Sequence, residues 1–244
     1  MIDTALLIEL LEAPSDQDWT ERLFALSRDQ GFEQVLYGVV PSRHVRFENA
    51  FLRSNYSSEW RDRYDSNGFA YVDPTVGHCL SSTLPLIWAP ATFGSGAPGA
   101  LYEEASAHGI RSGVTLPVHG PQGEVGIISF ASDARPDAPF VRSVAEALPA
   151  LSLIRDYAFA SSARWREAKL EPELPRLTRR ELEVLQWVMA GKSSWEVARI
   201  TSCSEATVNF HLANVRQKFG VNTRQQAVVK AISCGLLTPE DHRR

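Results

Sequence analysis

Along the first part of the chain, apolar positions recur at helical spacing and then at strand spacing. Ile2 to Leu11 is apolar enough for a first helix, and Pro14-Ser15-Asp16 ends it and caps the next. In that second helix Trp19, Leu23 and Leu26 share one face, and Gly31 is placed to stop it. Phe32 to Val40, rich in Val, Leu and Tyr, predicts a strand, with Phe47 to Leu52 as its antiparallel neighbour. Helical spacing returns from Ser57 to Asn67 and ends at Gly68. A short strand is expected at Leu84 to Trp88, a Gly- and Pro-rich loop from Phe93 to Gly99, and a helix from Leu101 to Ala107. The clearest hairpin follows: Val114, Leu116 and Val118 alternate with Thr115, Pro117 and His119, Gly120-Pro121-Gln122-Gly123 turns the chain, and Val125 to Ala131 returns. A long amphipathic helix from Ala138 to about Ala160 closes the region. Central strands with helices at both ends predict an α/β/α sandwich on an antiparallel sheet for residues 1–162, within an α+β chain. Residues 163–175, mixing charge with Pro172 and Pro175, read as a linker.

In residues 176–244 the pattern becomes all helical. Ser or Thr stands three residues before Glu or Gln at Thr178 with Glu181, Ser193 with Glu196, Ser202 with Glu205, and Thr223 with Gln226. Each pair has the form of a capping box, in which a hydroxyl accepts from a first-turn N–H and the acid or amide reaches back. Four helices are therefore expected: Leu182 to Met189, Trp195 to Ile200, Glu205 to Phe219 and Gln225 to Leu236. Such short helices must pack on one another.

On the third of them, Val208, Leu212, Val215 and Phe219 fall in one narrow sector at about 100° per residue and form the core face. The outer side presents Ala206, Phe210, Ala213 and Gln217, flanked by Asn209 and Arg216, with Thr207, His211, Asn214 and Lys218 on the other flank. A small, amide-bearing surface with basic residues towards its end suits a DNA major groove. It equally suits an ordinary amphipathic helix with a solvated face. Charge separates the two: from Pro175 onward the chain carries a net +5, and the remainder a net −9, behind an overall −4. A basic module inside an acidic chain is what phosphate contact requires.

At 244 residues and 44% apolar content, the chain can bury two domains. No apolar run approaches the roughly 20 residues a bilayer crossing needs, so no membrane association is expected. The N-terminus, with Asp3 and Glu9 and no basic segment, does not read as a secretory signal. Cys79, Cys203 and Cys234 are scattered, and reduced thiols in the cytoplasm are the expectation. Hydrolytic chemistry finds no support. His44, His78, His108, His119, His211 and His242 form no HxH or HxxxH set for a metal, and Gly-x-Ser-x-Gly does not occur. A phosphorylation-driven receiver would need a parallel α/β domain, whereas these strands pair as hairpins. No enzyme, metal or cofactor is expected.

Aromatic and polar residues crowd together between Tyr56 and Thr75: Tyr56, Trp60, Arg61, Tyr64 and Asp73-Pro74-Thr75. Trp60 and Tyr64 share a helical face, Trp88 and Phe93 follow, and the hairpin brings Thr115 and Ser129 opposite or diagonal to one another. Rings with a few separated donors and acceptors are the composition of a small-molecule site, although each residue alone fits a structural role.

Two sets of residues carry a family resemblance. Thr178-Arg-Arg-Glu181-Leu-Glu-Val-Leu185, Gly191-Lys192-Ser193 and Val208-Asn-Phe-His211-Leu resemble the DNA-binding domain of LuxR-type transcription factors. Trp60, Tyr64, Asp73-Pro74, Trp88 and Gly113 resemble, in order and spacing, the signature of the autoinducer-binding domain of the same family. The likeness extends over Asn49-Ala50-Phe51, Asp73-Pro-Thr-Val76 and Glu103-Glu-Ala-Ser106. It implies a homodimeric quorum-sensing regulator of a two-fold symmetric operator on double-stranded DNA, responsive to an N-acyl-homoserine lactone of long chain. By the same resemblance Trp60 donates to the lactone carbonyl, Asp73 accepts the amide N–H, and Tyr56 and Ser129 donate to the amide carbonyl. Arg61, Thr75 and Thr115 assist around the head, with Tyr64, Trp88 and Phe93 beside them. Leu36, Ala50, Val76, Cys79, Leu101, Ala105, Ile110, Val125 and Ile127 line the acyl tunnel. Phe47 and Phe93 replace tyrosines of a related receptor. Asn209, Phe210 and Ala213 would face bases and Thr207, Arg216, Lys218 and Arg224 phosphates, with Lys192 a further DNA contact. The alternative is a regulator of the same fold that acts without ligand or answers a different small molecule.

Overall fold

A computed structural model of the chain describes residues 2–43, 45–169 and 176–238. It divides into two compact units, 1–169 and 170–244.

The first unit opens with α1 (Thr4–Leu11) and α2 (Asp16–Asp29), the latter capped by Ser15, whose hydroxyl accepts from the Asp18 N–H. Five antiparallel strands follow: β1 (Gln34–Val40), β2 (Phe51–Ser54), β3 (Leu86–Ile87), β4 (Ser112–His119) and β5 (Val125–Ser132), in the order β2-β1-β5-β4-β3. Between β2 and β4 lie α3 (Ser58–Ser66), α4 (Pro74–Ser81), α5 (Pro90–Phe93) and α6 (Ala97–Ala107). The 32-residue α7 (Ala138–Lys169) ends the unit.

Strand alternation assigns the two faces of the sheet. Val35, Tyr37 and Val39 on β1, Val114, Leu116 and Val118 on β4, and Ile128 and Phe130 on β5 pack in one core with α1, α2 and α7. Their sequence neighbours Leu36, Gly38, Ile127 and Ser129 turn to the other face, beneath the four short helices. The helices on both faces make the α/β/α sandwich that the pattern predicts.

Several elements depart from expectation. The strand expected at Phe47 to Leu52 is a 3-10 turn (Phe47–Asn49) followed by β2, whose far end is closed by Asn55, donating to the Glu33 carbonyl and accepting from the Val35 N–H. The Asp73-Pro74 turn starts α4, with Asp73 as N-cap and Pro74 in the first turn, where a missing N–H costs nothing. The strand at Leu84 to Trp88 shrinks to two residues. The loop expected from Phe93 to Gly99 closes with α6 already begun at Ala97. Most visibly, α7 continues beyond Ala160. Its last turns are held by tertiary hydrogen bonds: Trp19 Nε1 donates to Ser161 Oγ (2.7 Å), Tyr37 and Ser162 hydroxyls meet at 2.8 Å, and Arg164 donates to the carbonyls of Leu11 and Ala13. Residues 163–169 of the expected linker are thus helical, and residues 170–175 lie outside the described residues.

The described residues of the second unit form four helices, α8 (Arg179–Met189), α9 (Ser194–Ile200), α10 (Glu205–Phe219) and α11 (Arg224–Ser233). They surround Val184, Leu185, Val197, Val208, Leu212, Val215 and Phe219. Capping boxes form at Thr178 with Glu181, Ser193 with Glu196, and Thr223 with Gln226. The fourth expected box does not. Ser204, not Ser202, caps α10 and accepts from the Thr207 N–H, while Ser202 sits at φ 54° inside the turn. The two-residue displacement follows from that tight turn, which uses Ser202 as backbone and leaves the next serine at the helix start.

Candidate functional site

Between the sheet and α3 to α6 lies a cavity of about 570 Å³, within the roughly 300–1,000 Å³ of small-molecule sites. Its floor is β1 and β5, contributing Leu36, Gly38, Val125, Ile127 and Ser129. Ala50 and Leu52 close it from β2 and the residue before it, and Val76, Cys79 and Leu80 descend from α4. Leu101, Ala105 and Ile110 add the α6 side.

The polar groups are few and converge. α3 brings Trp60, Arg61 and Tyr64 to the wall because their spacing puts them on adjoining faces of one short helix. Trp60 is buried against Tyr64, Phe69 and His108, with ring centroids 5.9, 6.1 and 5.4 Å away. Tyr64 donates to Asp73 Oδ2 at 2.9 Å, while Asp73 Oδ1 accepts from the Thr75 N–H at 2.8 Å and its hydroxyl at 2.7 Å. Asp73 is thereby oriented with one lone pair of Oδ2 still available to a donor in the cavity. Burial pushes its carboxyl above the usual range, and the donors from Thr75 and Tyr64 only partly oppose that. The Tyr56 hydroxyl is buried with no hydrogen-bond partner among the described residues, and burial beside the Asp73 carboxylate keeps it protonated far above ordinary pH. Burial likewise pushes the Cys79 thiol up to about 12, so it lines the wall as an apolar group.

Of the residues picked out in the sequence, all but one line this cavity: Tyr56, Trp60, Arg61, Tyr64, Asp73, Thr75, Val76, Cys79, Trp88, Phe93, Leu101, Ala105, Ile110, Leu36, Ala50, Val125, Ile127 and Ser129. Thr115 does not. It is fully buried behind the wall, accepts from Trp88 Nε1 at 2.9 Å and meets Ser129 Oγ at 2.9 Å. Arg61 reaches the wall, but its guanidinium donates to both oxygens of Asp65 and lies over the Tyr64 ring. Phe93 stacks on Tyr102 at 4.7 Å, whose hydroxyl donates to the Arg111 carbonyl; Tyr102 went unnoticed in the sequence. So did Gly38, although a glycine inside a strand pattern marks a close approach. Gly113 has a structural reason: a Cβ there would stand 2.9 Å from the Trp88 ring and 2.4 Å from the Phe130 carbonyl oxygen.

In the second unit α10 buries Val208, Leu212, Val215 and Phe219 and exposes Asn209, Phe210, Ala213 and Thr207, as its periodicity predicts. Phe210 is 62% exposed. Asn209 Oδ1 accepts from Ser194 Oγ at 2.8 Å, which fixes the amide at the surface, and Thr207 Oγ1 meets Ser204 Oγ at 2.8 Å. Arg216 donates to the Asn222 carbonyl, Arg224 is exposed in the first turn of α11, and Lys192 lies 3.4 Å from Glu196. Lys218, the further phosphate contact expected, is engaged within the unit. Its ammonium donates to buried Glu181 (2.6 Å) and to the Arg176 carbonyl (2.9 Å), joining the end of α10 to the start of α8.

Comparison with known proteins covers both units. Residues 15–162 match the family described as autoinducer binding domain, and residues 175–231 match bacterial regulatory proteins of the luxR family. The transcriptional activator protein VanR of Vibrio anguillarum is 33% identical over 237 residues, covering 96% of this chain and 97% of VanR. LuxR of Aliivibrio fischeri is 29% identical, covering 91% and 89%. The structure of SdiA in complex with octanoyl-rac-glycerol superposes with a TM-score of 0.79 at 25% identity, covering 97% of this chain and 98% of that one. A cavity under one sheet face, a four-helix unit with an exposed polar helix, and relatives that span nearly the whole length agree: the chain belongs to the LuxR family of quorum-sensing transcription regulators, a DNA-binding protein responsive to a small molecule, and not an enzyme.

Proposed function

We propose that the cavity binds an N-acyl-homoserine lactone of long chain, and that the bound protein grips a two-fold operator as a homodimer. The observation that carries this reading is the Tyr56 hydroxyl, without a hydrogen-bond partner among the described residues, beside the Asp73 carboxylate in a mostly apolar cavity. A buried donor needs an acceptor and Asp73 retains room for a donor, so the ligand should supply both within one small group. A secondary amide does so: its carbonyl accepts from Tyr56 and Ser129 and its N–H donates to Asp73. Trp60 then faces the lactone carbonyl. Each buried methylene contributes roughly 0.8 kcal/mol, so an eight-methylene tail along Val76, Cys79, Val125 and Ile127 supplies around 6 kcal/mol, while each neutral head contact nets about 1. The tail sets affinity and the head sets identity.

For DNA, Asn209, Phe210 and Ala213 on exposed α10 are the base readers, with Thr207, Arg216, Arg224 and Lys192 towards phosphate. Lys218 acts from within, by holding α10 on α8. Dimerisation through the first unit is supported by exposed Val141 and Leu153 on α7 and by Ile8 and Leu11 on the α1 packed against it. Two such modules require half-sites about 10 bp apart or a multiple. The site of action is the cytoplasm, and no described helix is long and apolar enough to cross a membrane.

The SdiA complex favours a second reading, in which an acylglycerol fills the cavity, its hydroxyls donating where an amide would. Denaturing protein purified from cells supplied with lactone, and weighing the released small molecules, separates the two. A released acyl-homoserine lactone supports the first reading; release of acylglycerol alone, with lactone present, would overturn it.

A further inference from the structure

Thr115 resembles its family as a ligand contact, yet it lies behind the cavity wall with two polar partners, Trp88 Nε1 and Ser129 Oγ, both at 2.9 Å. Their chemistry decides which way the protons run. An indole N–H only donates, so of the two partners Ser129 Oγ alone can accept the Thr115 proton. The opposite arrangement, with Ser129 donating, would strand the hydroxyl hydrogen of a fully buried threonine. The pairing of Leu86 and of Ser129 with Thr115 across β4 holds the three groups in register.

We propose that Thr115 is a positioning residue for ligand selection: by donating to Ser129 Oγ, it obliges the Ser129 hydroxyl to present its own proton to the cavity. Ser129 is then a fixed donor that accepts only ligands offering a carbonyl at that point. Without the threonine proton the Ser129 hydroxyl is free to turn and serve as acceptor or donor alike. The inference rests on the lactone reading, in which that carbonyl is the amide's.

The test is a cycle on the full chain with N-dodecanoyl-homoserine lactone as probe. Its dissociation constant is measured for wild type, Ser129→Ala, Thr115→Val and the double variant. Each single substitution should weaken binding about fivefold, the size of one neutral hydrogen bond, and the double should be no weaker than Ser129→Ala alone. Thr115→Ser should restore wild-type affinity. Thr115→Cys, similar in size but a weak donor, replaces Thr115→Val if that variant is insoluble. Infrared spectra of the lactone labelled with ¹³C at the amide carbonyl give a readout that a merely structural role would not move. The band should shift on binding to wild type and Thr115→Ser, and lose part of that shift in Ser129→Ala and Thr115→Cys alike. Losses that add in the double variant, or an unchanged band in Thr115→Cys, would overturn the relay while leaving the lactone reading intact. A wild-type protein that binds no lactone would remove both.

Discussion

At Asp73 one oxygen caps a helix and the other faces the cavity, and a single substitution separates the two duties. Asn keeps the cap on α4, since its carbonyl accepts from the Thr75 N–H as the carboxylate does. Its amide nitrogen then confronts the ligand N–H with a second donor. Asp73→Asn should therefore lower lactone affinity at least tenfold, because a charge-assisted hydrogen bond contributes about 1.5–3 kcal/mol. The sign for stability is opposite. Burial raises the folded-state carboxyl, so the ionised form opposes folding above that raised value, and the penalty vanishes below the unfolded value near 3.9. The variant should be more resistant to urea than wild type at pH 7, with the gap closing by about pH 4. Lactone binding to wild type should weaken as pH falls through the raised value, since the ligand N–H needs the carboxylate. Equal urea midpoints for variant and wild type at both pH 7 and pH 4 would show that Asp73 carries no burial penalty. Trp60→Phe provides the companion case: ring packing against Phe69 and His108 survives, the indole donor goes, and lactone dose response should shift upward at unchanged melting temperature.

Elements carry their own predictions, and they show what can be read from a one-dimensional pattern. A methyl added at Gly38 on β1 would meet Ile127, Leu52 and Leu36 at 3.7, 3.8 and 3.9 Å, ordinary contact with no backbone clash. Gly38→Ala should leave the sheet intact, shorten the cavity by about one methylene and move the preferred acyl chain down in length, measured with a lactone series in a reporter assay. At the other end of the molecule, Ser204→Ala should cost α10 about 1 kcal/mol and Ser202→Ala much less, read by hydrogen exchange of the α10 amides in the full chain. The sequence pattern favours the wrong serine there. Ser202 stands three residues before Glu205, but a capping box needs extended backbone at its first residue, and Ser202 has φ 54°. Local signals succeeded where local physics decides, as at Thr178, Ser193 and Thr223, and in the hairpin that sets Thr115 opposite Ser129. They failed where a tertiary partner decides. Past Ala160, α7 is also held by Trp19, Tyr37 and the Leu11 and Ala13 carbonyls, partners from far upstream that no local pattern names. Periodicity likewise places Thr115 on the cavity side of β4 but not at its depth, and the resemblance that made it a ligand contact does not give that depth either. The ion pair of Lys218 was not legible in the sequence, because Glu181, 37 residues earlier, is its partner only in three dimensions.

Across the whole molecule the charge is divided, and so should be the response to salt and to ligand. Arg216→Ala, on the basic unit, should weaken binding to all DNA and flatten the salt dependence by about one unit, whereas Lys218→Met should leave the slope and lower the unit's stability. Stability of that unit has its own pH limit. Burial pushes the Glu181 carboxyl up, but the Lys218 ammonium and the Thr178 N–H outweigh it and hold it below the usual range. The contribution is therefore present above the unfolded value near 4.3 and lost as pH falls through the folded one. Ligand acts elsewhere: every residue lining the cavity belongs to the first unit. Lactone at about 100 times its dissociation constant should stabilise the folded form by about 2.7 kcal/mol, because it binds the native cavity and not the unfolded chain. In a unit of this size that corresponds to a rise of roughly 5–10 °C in its melting temperature. Scanning calorimetry of the full chain should thus show one transition that climbs with lactone and a second, lost in Leu185→Ala, that stays in place. If both transitions climb together, folding of the DNA-binding helices is itself coupled to the filled cavity. If neither moves at saturating lactone, the cavity is not where the signal acts.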